Sequence, residues 1–461
     1  MVIAWAPAIR IAPVHATPVG PLVQVSSDQF ATPGFQHRTE VEPGIAVDGH
    51  TVLAAFQVGR ADEGGAVAIG VGVSTEDGAT WSSSVLADTT TATGGFYGRA
   101  SDPSVAYDAN TDSWLVGYLG ITLTGRFEEP TRSGIAVVRS ARGAVSFGKP
   151  ITVARAPRGI VYDKPWIACD GHRRSTYFGR CYAVWDELGL RGGPRGVVLA
   201  STSKDGGSHW SPPVRTADRT RGFGGVPLVR PDGSVIVPYL NTEHPLRPRI
   251  DAFVSTDGGA SWGPSITIAV PRRLDVQRAM RDPGLPSVAV DEAGAIYVAW
   301  SDCRFEPACA VDDIVLSRSP DGRSWSPPIL VAEGIPSKSG SLLTPALAVR
   351  QRGRSVRMGL LYYTTAGSRC GLFRPAACTI TVGYTSSRDG GISWSAPTQI
   401  GWPMRANWFP ATRQGYMWGD YVTAAILRNG NAVAVLPLAK RPGRVLDVAT
   451  YAPERGLPIR G

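Results

Sequence analysis

Acids, arginines and tyrosines stand close together at several points in this chain. Arg60-Ala61-Asp62 and Asp302-Cys303-Arg304 each set an acid two residues from an arginine. Asp163-Lys164, Arg281-Asp282 and Asp420-Tyr421 are adjacent pairs, and Asp102, Glu187 and Glu243 stand near apolar runs. Acids crowded into one place repel, so some of them take raised pKa values or bind a cation. Arginine presents a planar fork to a carboxylate or phosphate. A mixture of acids, arginine and tyrosine is what a glycosidase site requires, provided the fold gathers it. Each pair also has a structural reading. Arg60 and Asp62 could be a solvated loop pair, Asp302 and Arg304 an ion pair joining elements, and Tyr421 a packing residue.

What must gather these residues is a repeat. Ser203–Trp210 (SKDGGSHW), Ser255–Trp262 (STDGGASW) and Ser387–Trp394 (SRDGGISW) are near copies. They place Asp205, Asp257 and Asp389, and Trp210, Trp262 and Trp394, at matching positions. Weaker versions are Ser74–Trp81, Ser140–Phe147 and Asp321–Trp325. Upstream stand Glu42-Pro43, Asp102-Pro103, Lys164-Pro165, Val226-Pro227, Leu285-Pro286 and Thr344-Pro345, each opening an apolar run. The prolines are spaced by 60, 62, 62, 59 and 59 residues. A period of that size predicts a repeat architecture. Proline is tolerated at a strand's first residue, where its missing N–H is not yet needed.

Each unit reads as four strands, the first nearly all apolar, as a strand buried on both faces would be. Four strands per unit predict a propeller blade. The eight-residue phrase falls between the third and fourth strands. Its Asp accepts turn N–H groups, its glycines supply positive φ, and its Trp packs on adjacent strands. It is assigned to the fold and not to catalysis.

After the sixth phrase, further apolar runs begin at Gly419, Asn431 and Val445, and Leu22–Ser26 would supply a fourth strand. The expected fold class is all-β: a seven-bladed β-propeller of four-stranded antiparallel blades. A six-bladed ring with an appendage is the alternative. Residues 1–20 are expected to be a leader or signal remnant. Residues 21–461 would form one propeller domain, closed by pairing of 22–26 with a last blade at 416–452.

Composition narrows the partners. Of 47 basic residues only five are Lys, and the formal charge is +9. No basic block with interleaved aromatics appears, so nucleic acid is not expected. No run is long and apolar enough to span a bilayer. Six cysteines fall as close pairs, Cys169/Cys181, Cys303/Cys309 and Cys370/Cys378, which predicts three local disulfides and an oxidising compartment. An extracellular or cell-surface monomer is expected. No metal-ligand cluster or cofactor motif stands out, with a channel calcium left open.

The phrases fit Ser-x-Asp-x-Gly-x-x-Trp, the Asp box or bacterial neuraminidase repeat. From about Leu22 to Ala452 the chain resembles the sialidase superfamily of secreted Asp-box propellers. That resemblance implies a glycan or polysaccharide partner and hydrolysis of terminal, acidic sugars. It implies an arginine cluster on the sugar carboxylate, a Tyr nucleophile activated by a Glu, and an Asp acid/base. Carried over, Arg60 and Asp62 supply the arginine and acid/base, Tyr421 the nucleophile, and Glu187 or Glu243 its activator. The family's first-blade Arg-Ile-Pro is replaced here by Glu42-Pro43, a departure from the pattern.

In a propeller, entries to first strands and exits from second strands share one face. Glu42, Asp102, Asp163, Lys164, Arg281 and Asp420 are entries; Arg60, Asp62, Asp186, Glu187, Glu243, Asp302 and Arg304 are exits. Asp102, Asp163, Lys164, Arg281, Asp302, Arg304 and Asp420 are expected to bind substrate, with Trp408 as an exposed sugar platform. The same scaffold could instead bind glycan without turnover. It could also act as a polysaccharide lyase with His37, His172 or His244 as base.

Overall fold

The computed structural model describes residues 20–124, 129–143, 145–189, 196–244, 246–273, 279–332, 340–366, 370 and 375–461. The expected leader, residues 1–20, lies outside them except for Gly20. Among the described residues the fold is all-β, and its only helices are 3-10 turns of three residues. The abundant Gly and Pro explain this, since both interrupt helices and mark turns.

Small antiparallel sheets follow the sequence period. The first contains Gln36–Asp48, Thr51–Arg60, Ala66–Ser74 and Ser82–Val85. The second contains Arg99–Asp108, Ser113–Thr124, Glu129–Arg139 and Ile151–Arg155. The third runs Ile160–Cys169, Cys181–Gly189, Val197–Ser203 and Val214–Arg215. In the fourth, Gly222–Phe223 and Leu228–Val229 share Val235–Asn241 as partner, followed by Arg249–Ser255 and Ile266–Ala269. The fifth begins at Ser287–Val290 and the sixth at Ser341–Arg352, each with four strands in chain order. Single pairings, Ala66 with Ala100 and Thr39 with Val448, stitch neighbouring sheets edge to edge.

The last stretch departs from the expected strand run at Gly419. Glu42 N donates to Trp418 O (3.3 Å) and Asp420 N to Glu42 Oε1 (3.1 Å). These bonds hold residues 418–420 against the first sheet, and the strand begins only at Ala424–Ile426. The run from Asn431 also divides. Ala432–Ala434 pairs with Ala424–Ile426, whereas Leu436–Ala439 pairs with Val448–Pro453. Leu22–Gln24 then lies antiparallel to Val448–Pro453, with Val23 opposite Ala452.

The repeated phrase forms the same turn each time. Gly207 N, Gly259 N and Gly391 N donate to the hydroxyls of Ser203, Ser255 and Ser387 at 2.8–2.9 Å. The Oδ1 atoms of Asp205, Asp257 and Asp389 accept from the backbone four residues on, at 2.9–3.0 Å. The indole N–H of Trp210 and of Trp394 donates to a turn glycine carbonyl (3.1 Å). Gly207 has φ +85°, a conformation that a side chain would strain. All three cysteine pairs are bonded: Cys169–Cys181, Cys303–Cys309 and Cys370–Cys378. Three disulfides fit an oxidising compartment. No helix of the described residues is long and apolar enough to cross a membrane.

Where the two chain ends meet, Ser26 Oγ donates to Glu40 Oε2 and accepts from Thr450 N, both at 2.8 Å. Burial pushes the Glu40 carboxyl up to about 8, despite the Ser26 bond. The sign follows from linkage. A carboxyl whose folded value exceeds its unfolded value of 4.5 costs stability as pH rises between the two. Glu40→Gln keeps an acceptor for Ser26 and removes the charge. The variant is expected to be more stable than the parent by on the order of 2 kcal/mol at pH 8, and equal to it near pH 4. Urea unfolding at the two pH values measures this; a constant difference would refute it.

Candidate functional site

Four of the residues that precede the entry prolines lie in the left-handed region: Glu42 (φ 54°), Asp102 (49°), Lys164 (49°) and Thr344 (49°). Each coincides with a register shift between the first and second strands of its sheet. Left-handed backbone costs a non-glycine residue about 1–2 kcal/mol. A bulge re-aims a side chain, and here three of the four side chains meet. Val226 and Leu285, the apolar residues at the equivalent places, have no positive φ.

Lys164 is at the centre. Its Nζ lies 2.7 Å from Asp102 Oδ1, 2.6 Å from Asp420 Oδ2 and 3.4 Å from Glu42 Oε1. Arg281 grips Asp420 with both Nε (2.7 Å) and Nη2. Gln57 donates to Glu42 and to Ser101 Oγ, and Arg60 Nη1 donates to Gln57 Oε1 (3.0 Å) and Gly65 O (2.9 Å). Burial opposes charge throughout, but pairing overcomes it at three places. Lys164 is held well above its ordinary value by Asp102 and Asp420, and Arg281 is raised by Asp420. Lys164 and Arg281 hold Asp420 well below the usual carboxylate range. At Glu42 burial prevails over Lys164 and the carboxyl is raised.

Beside this network stand two more acids. Asp163 and Asp186 are directly opposite each other on adjacent antiparallel strands. Burial, then the Asp102 charge, pushes Asp163 up to about 6. Burial, then Asp163, raises Asp186 well above its ordinary value. Asp186 is 1% exposed, accepts from Gly224 N at 3.4 Å, and its Oδ2 has no hydrogen-bond partner. Asp163 keeps partial access to solvent. A like pair in low dielectric cannot ionise twice at neutral pH, so it retains a proton there.

Beneath the network runs a cavity of about 300 Å³. Ile45, Val105, Lys164, Val226, Leu285, Thr344 and Tyr421 each bring a different chain stretch to its wall. The lining is mainly apolar below Lys164 and Tyr421. Pockets of this kind, apolar with a few convergent polar groups, suit small ligands.

Of the residues picked out from sequence, Asp102, Asp163, Lys164, Arg281, Asp420 and Arg60 come together. Of the proposed catalytic four, only Tyr421 adjoins this cluster, with Lys164 Nζ 5.7 Å from its ring centre; Asp62, Glu187 and Glu243 do not join it. The Tyr421 hydroxyl donates to Pro103 O (3.1 Å), its ring packs against Trp166, and burial raises its pKa well above the ordinary value. Glu187 pairs with Arg215 (3.3 Å), Glu243 is exposed, and Asp62 is exposed in the 61–65 loop. Asp302 accepts five bonds, from Arg272 N, Trp300 Nε1 and the N, Nε and Nη2 of Arg304, so this pair is a structural clamp. Trp408 is no exposed platform; it packs against the core cluster that holds Trp418. His37 lies beside Asp28 and Thr32 O, and His172 beside Val229 O. Gln57 has no sequence signal. Asp186 has no reliable one either: counting back from the Cys169/Cys181 pair would set Glu187 opposite Asp163, and only the bulge between Asp163 and Trp166 moves the partner to Asp186. Among the described residues no group of three or more His, Cys, Asp or Glu could hold a metal ion.

No family model and no curated protein matches the chain. Among solved structures it is similar to a protein of unknown function from Dyadobacter fermentans, with a TM-score of 0.50 and 15% identity over 77% of this chain and 94% of that one. It is also similar to an ulvan lyase, a polysaccharide lyase (TM-score 0.49, 11% identity, 92% of this chain and 96% of that one). A Hadza microbial sialidase follows (TM-score 0.46, 16% identity, 71% of this chain and 64% of that one). Likeness at these identities bears on the fold and says nothing of activity.

Proposed function

We propose that the chain is an extracellular, carbohydrate-active Asp-box propeller of seven blades, and that it cleaves terminal sugars from glycans by hydrolysis. The observation that carries this reading is the facing pair Asp163 and Asp186, whose neighbours Lys164 and Gly224 line the cavity. Asp163, partly accessible and poised near 6, protonates the leaving glycosidic oxygen as its bond to the anomeric carbon breaks; water then bonds to that carbon and gives its proton back to Asp163. Asp186 lies behind it, holds a proton and positions it. The names of the sialidase and the ulvan lyase agree with a saccharide as substrate. The disulfides support secretion.

The sequence points to an acidic sugar; the state of the cations argues for a neutral one. Lys164 is spent on Glu42, Asp102 and Asp420, and Arg281 places two of its donors on Asp420. Neither cation therefore offers a substrate carboxylate an open fork, and Arg60, whose Nε has no partner, is only 2% exposed, whereas a neutral sugar needs no fork. The test is a panel of fluorogenic neutral glycosides, sialosides and polyuronates, read for fluorophore release and for the absorbance of unsaturated products. Release from a neutral glycoside is expected. Unsaturated uronate would instead assign a lyase, and no product from any substrate, with retained glycan binding, would assign a binding module.

A further inference from the structure

The cavity continues at its other end into a hollow that the mouth chemistry does not use. Two adjoining spaces, about 620 and 320 Å³, share Glu292, Arg350, Ile426 and Arg428. The wider one shares Val288, Leu347 and Ala424 with the axial cavity and has Asp48 on its wall. The smaller is walled by Arg350, Arg352, Arg357 and Arg428, with Glu292 as its only acid.

These arginines are placed against electrostatic cost. Arg350 and Arg357 face each other directly across the hairpin of Ser341–Arg352 and Ser355–Ala366. Like charges so placed are destabilising unless a counter-charge sits between them. Arg350 is oriented by Leu427 O (3.1 Å) and by Glu292 Oε1 (3.5 Å). Among the described residues the Arg352, Arg357 and Arg428 guanidinium groups make no hydrogen bond or ion pair. Gly430, with φ +88°, leaves room for Arg357; a Cβ there would lie 2.7 Å from its Nη1. Three uncommitted guanidinium groups and one partly neutralised one in a concave wall make an oxyanion receptor.

We propose that this hollow binds the sulfate or carboxylate groups of an acidic polysaccharide, at a site separate from the mouth. No aromatic ring lines either space, so bases would find nothing to stack on and a nucleic acid is disfavoured. The site holds a charged glycan while the mouth works on a neutral terminus. It does not depend on the mouth being catalytic.

Calorimetric titration of the whole chain tests it, using a sulfated hexasaccharide, an oligouronate and a neutral oligosaccharide of equal length, inorganic sulfate and a single-stranded oligonucleotide. The acidic saccharides are expected to bind, to weaken as salt rises, and to lose at least tenfold in affinity in an Arg357→Ala/Arg428→Ala double variant. The neutral chain should show no salt-sensitive binding and none that the double variant abolishes, whatever it binds at the mouth. The double variant should unfold no earlier than the parent, because the facing like charges are relieved, and should keep its turnover. Asp163→Asn should bind the acidic saccharides as the parent does, so this site and the mouth can fail separately. Affinity unchanged in the double variant overturns the proposal. Inorganic sulfate binding as tightly as the saccharides would reduce the hollow to a free-anion site, and a tighter oligonucleotide would reassign it.

Discussion

Asp163→Asn is expected to lower kcat on the best glycoside by about 10²–10⁴-fold with little change in KM, the range that a positioned acid/base group contributes. Asn cannot donate or take the proton but matches Asp in shape, so binding should survive. The parent's kcat/KM should fall as pH rises through about 6, where Asp163 loses the proton it must give. In the variant that limb should be absent. Instability offers no rival account. The folded value of Asp163 is raised, so its ionisation costs stability as pH climbs from 3.8 to about 6. At pH 7 the variant should therefore be as stable as the parent or more so. A variant with more than a tenth of parental turnover would exclude Asp163 from the chemistry.

Lys164→Met is expected to destabilise the chain by about 3–5 kcal/mol at pH 7, because it strands buried carboxylates that the ammonium now serves. Glu42, Asp102 and Asp420 are each 2% exposed or less, so water cannot replace the lysine without opening the mouth. The pH dependence separates this from lost packing. Lys164 is raised in the fold, so its contribution is complete below the ordinary 10.5 and fades only as pH climbs through the higher folded value. Asp420 is depressed, so its share is present above 3.8 and fades as pH drops through its folded value. The deficit of the variant should shrink in acid, as the stranded carboxyls take protons. Urea unfolding at pH 7 and pH 4 measures both; a deficit equal at the two would point to packing alone.

The legible parts of this molecule are those that act over short distances. The DGG turns follow from Ser, Asp and Gly within four residues of one another, as at Ser387–Gly391. The disulfides span 12 residues or fewer. The X-Pro entrances announce the period because proline acts on its immediate neighbour. Engagement is not legible in the same way. Lys164 and Asp420 are 256 residues apart, and nothing local to either says that they meet. The left-handed turn at Glu42, Asp102 and Lys164 is likewise silent, since Val226 and Leu285 also precede proline without it. Motif matching names Tyr421 and Asp62 for chemistry; packing spends the Tyr421 hydroxyl on Pro103 O and leaves Asp62 in solvent. Rim position alone puts Asp186 and Asp163 on one face, and strand register makes them a pair.

The seam between Leu22–Gln24 and Val448–Pro453 sets the order of biosynthetic folding. Thr450 bonds to Ser26 across 424 residues, so Leu22–Gln24 must wait, edge bare, until residues 448–453 have been made. The sheets between can mature in turn, whereas this seam closes late, over the three paired residues of Leu22–Gln24 and the Ser26–Thr450 bond.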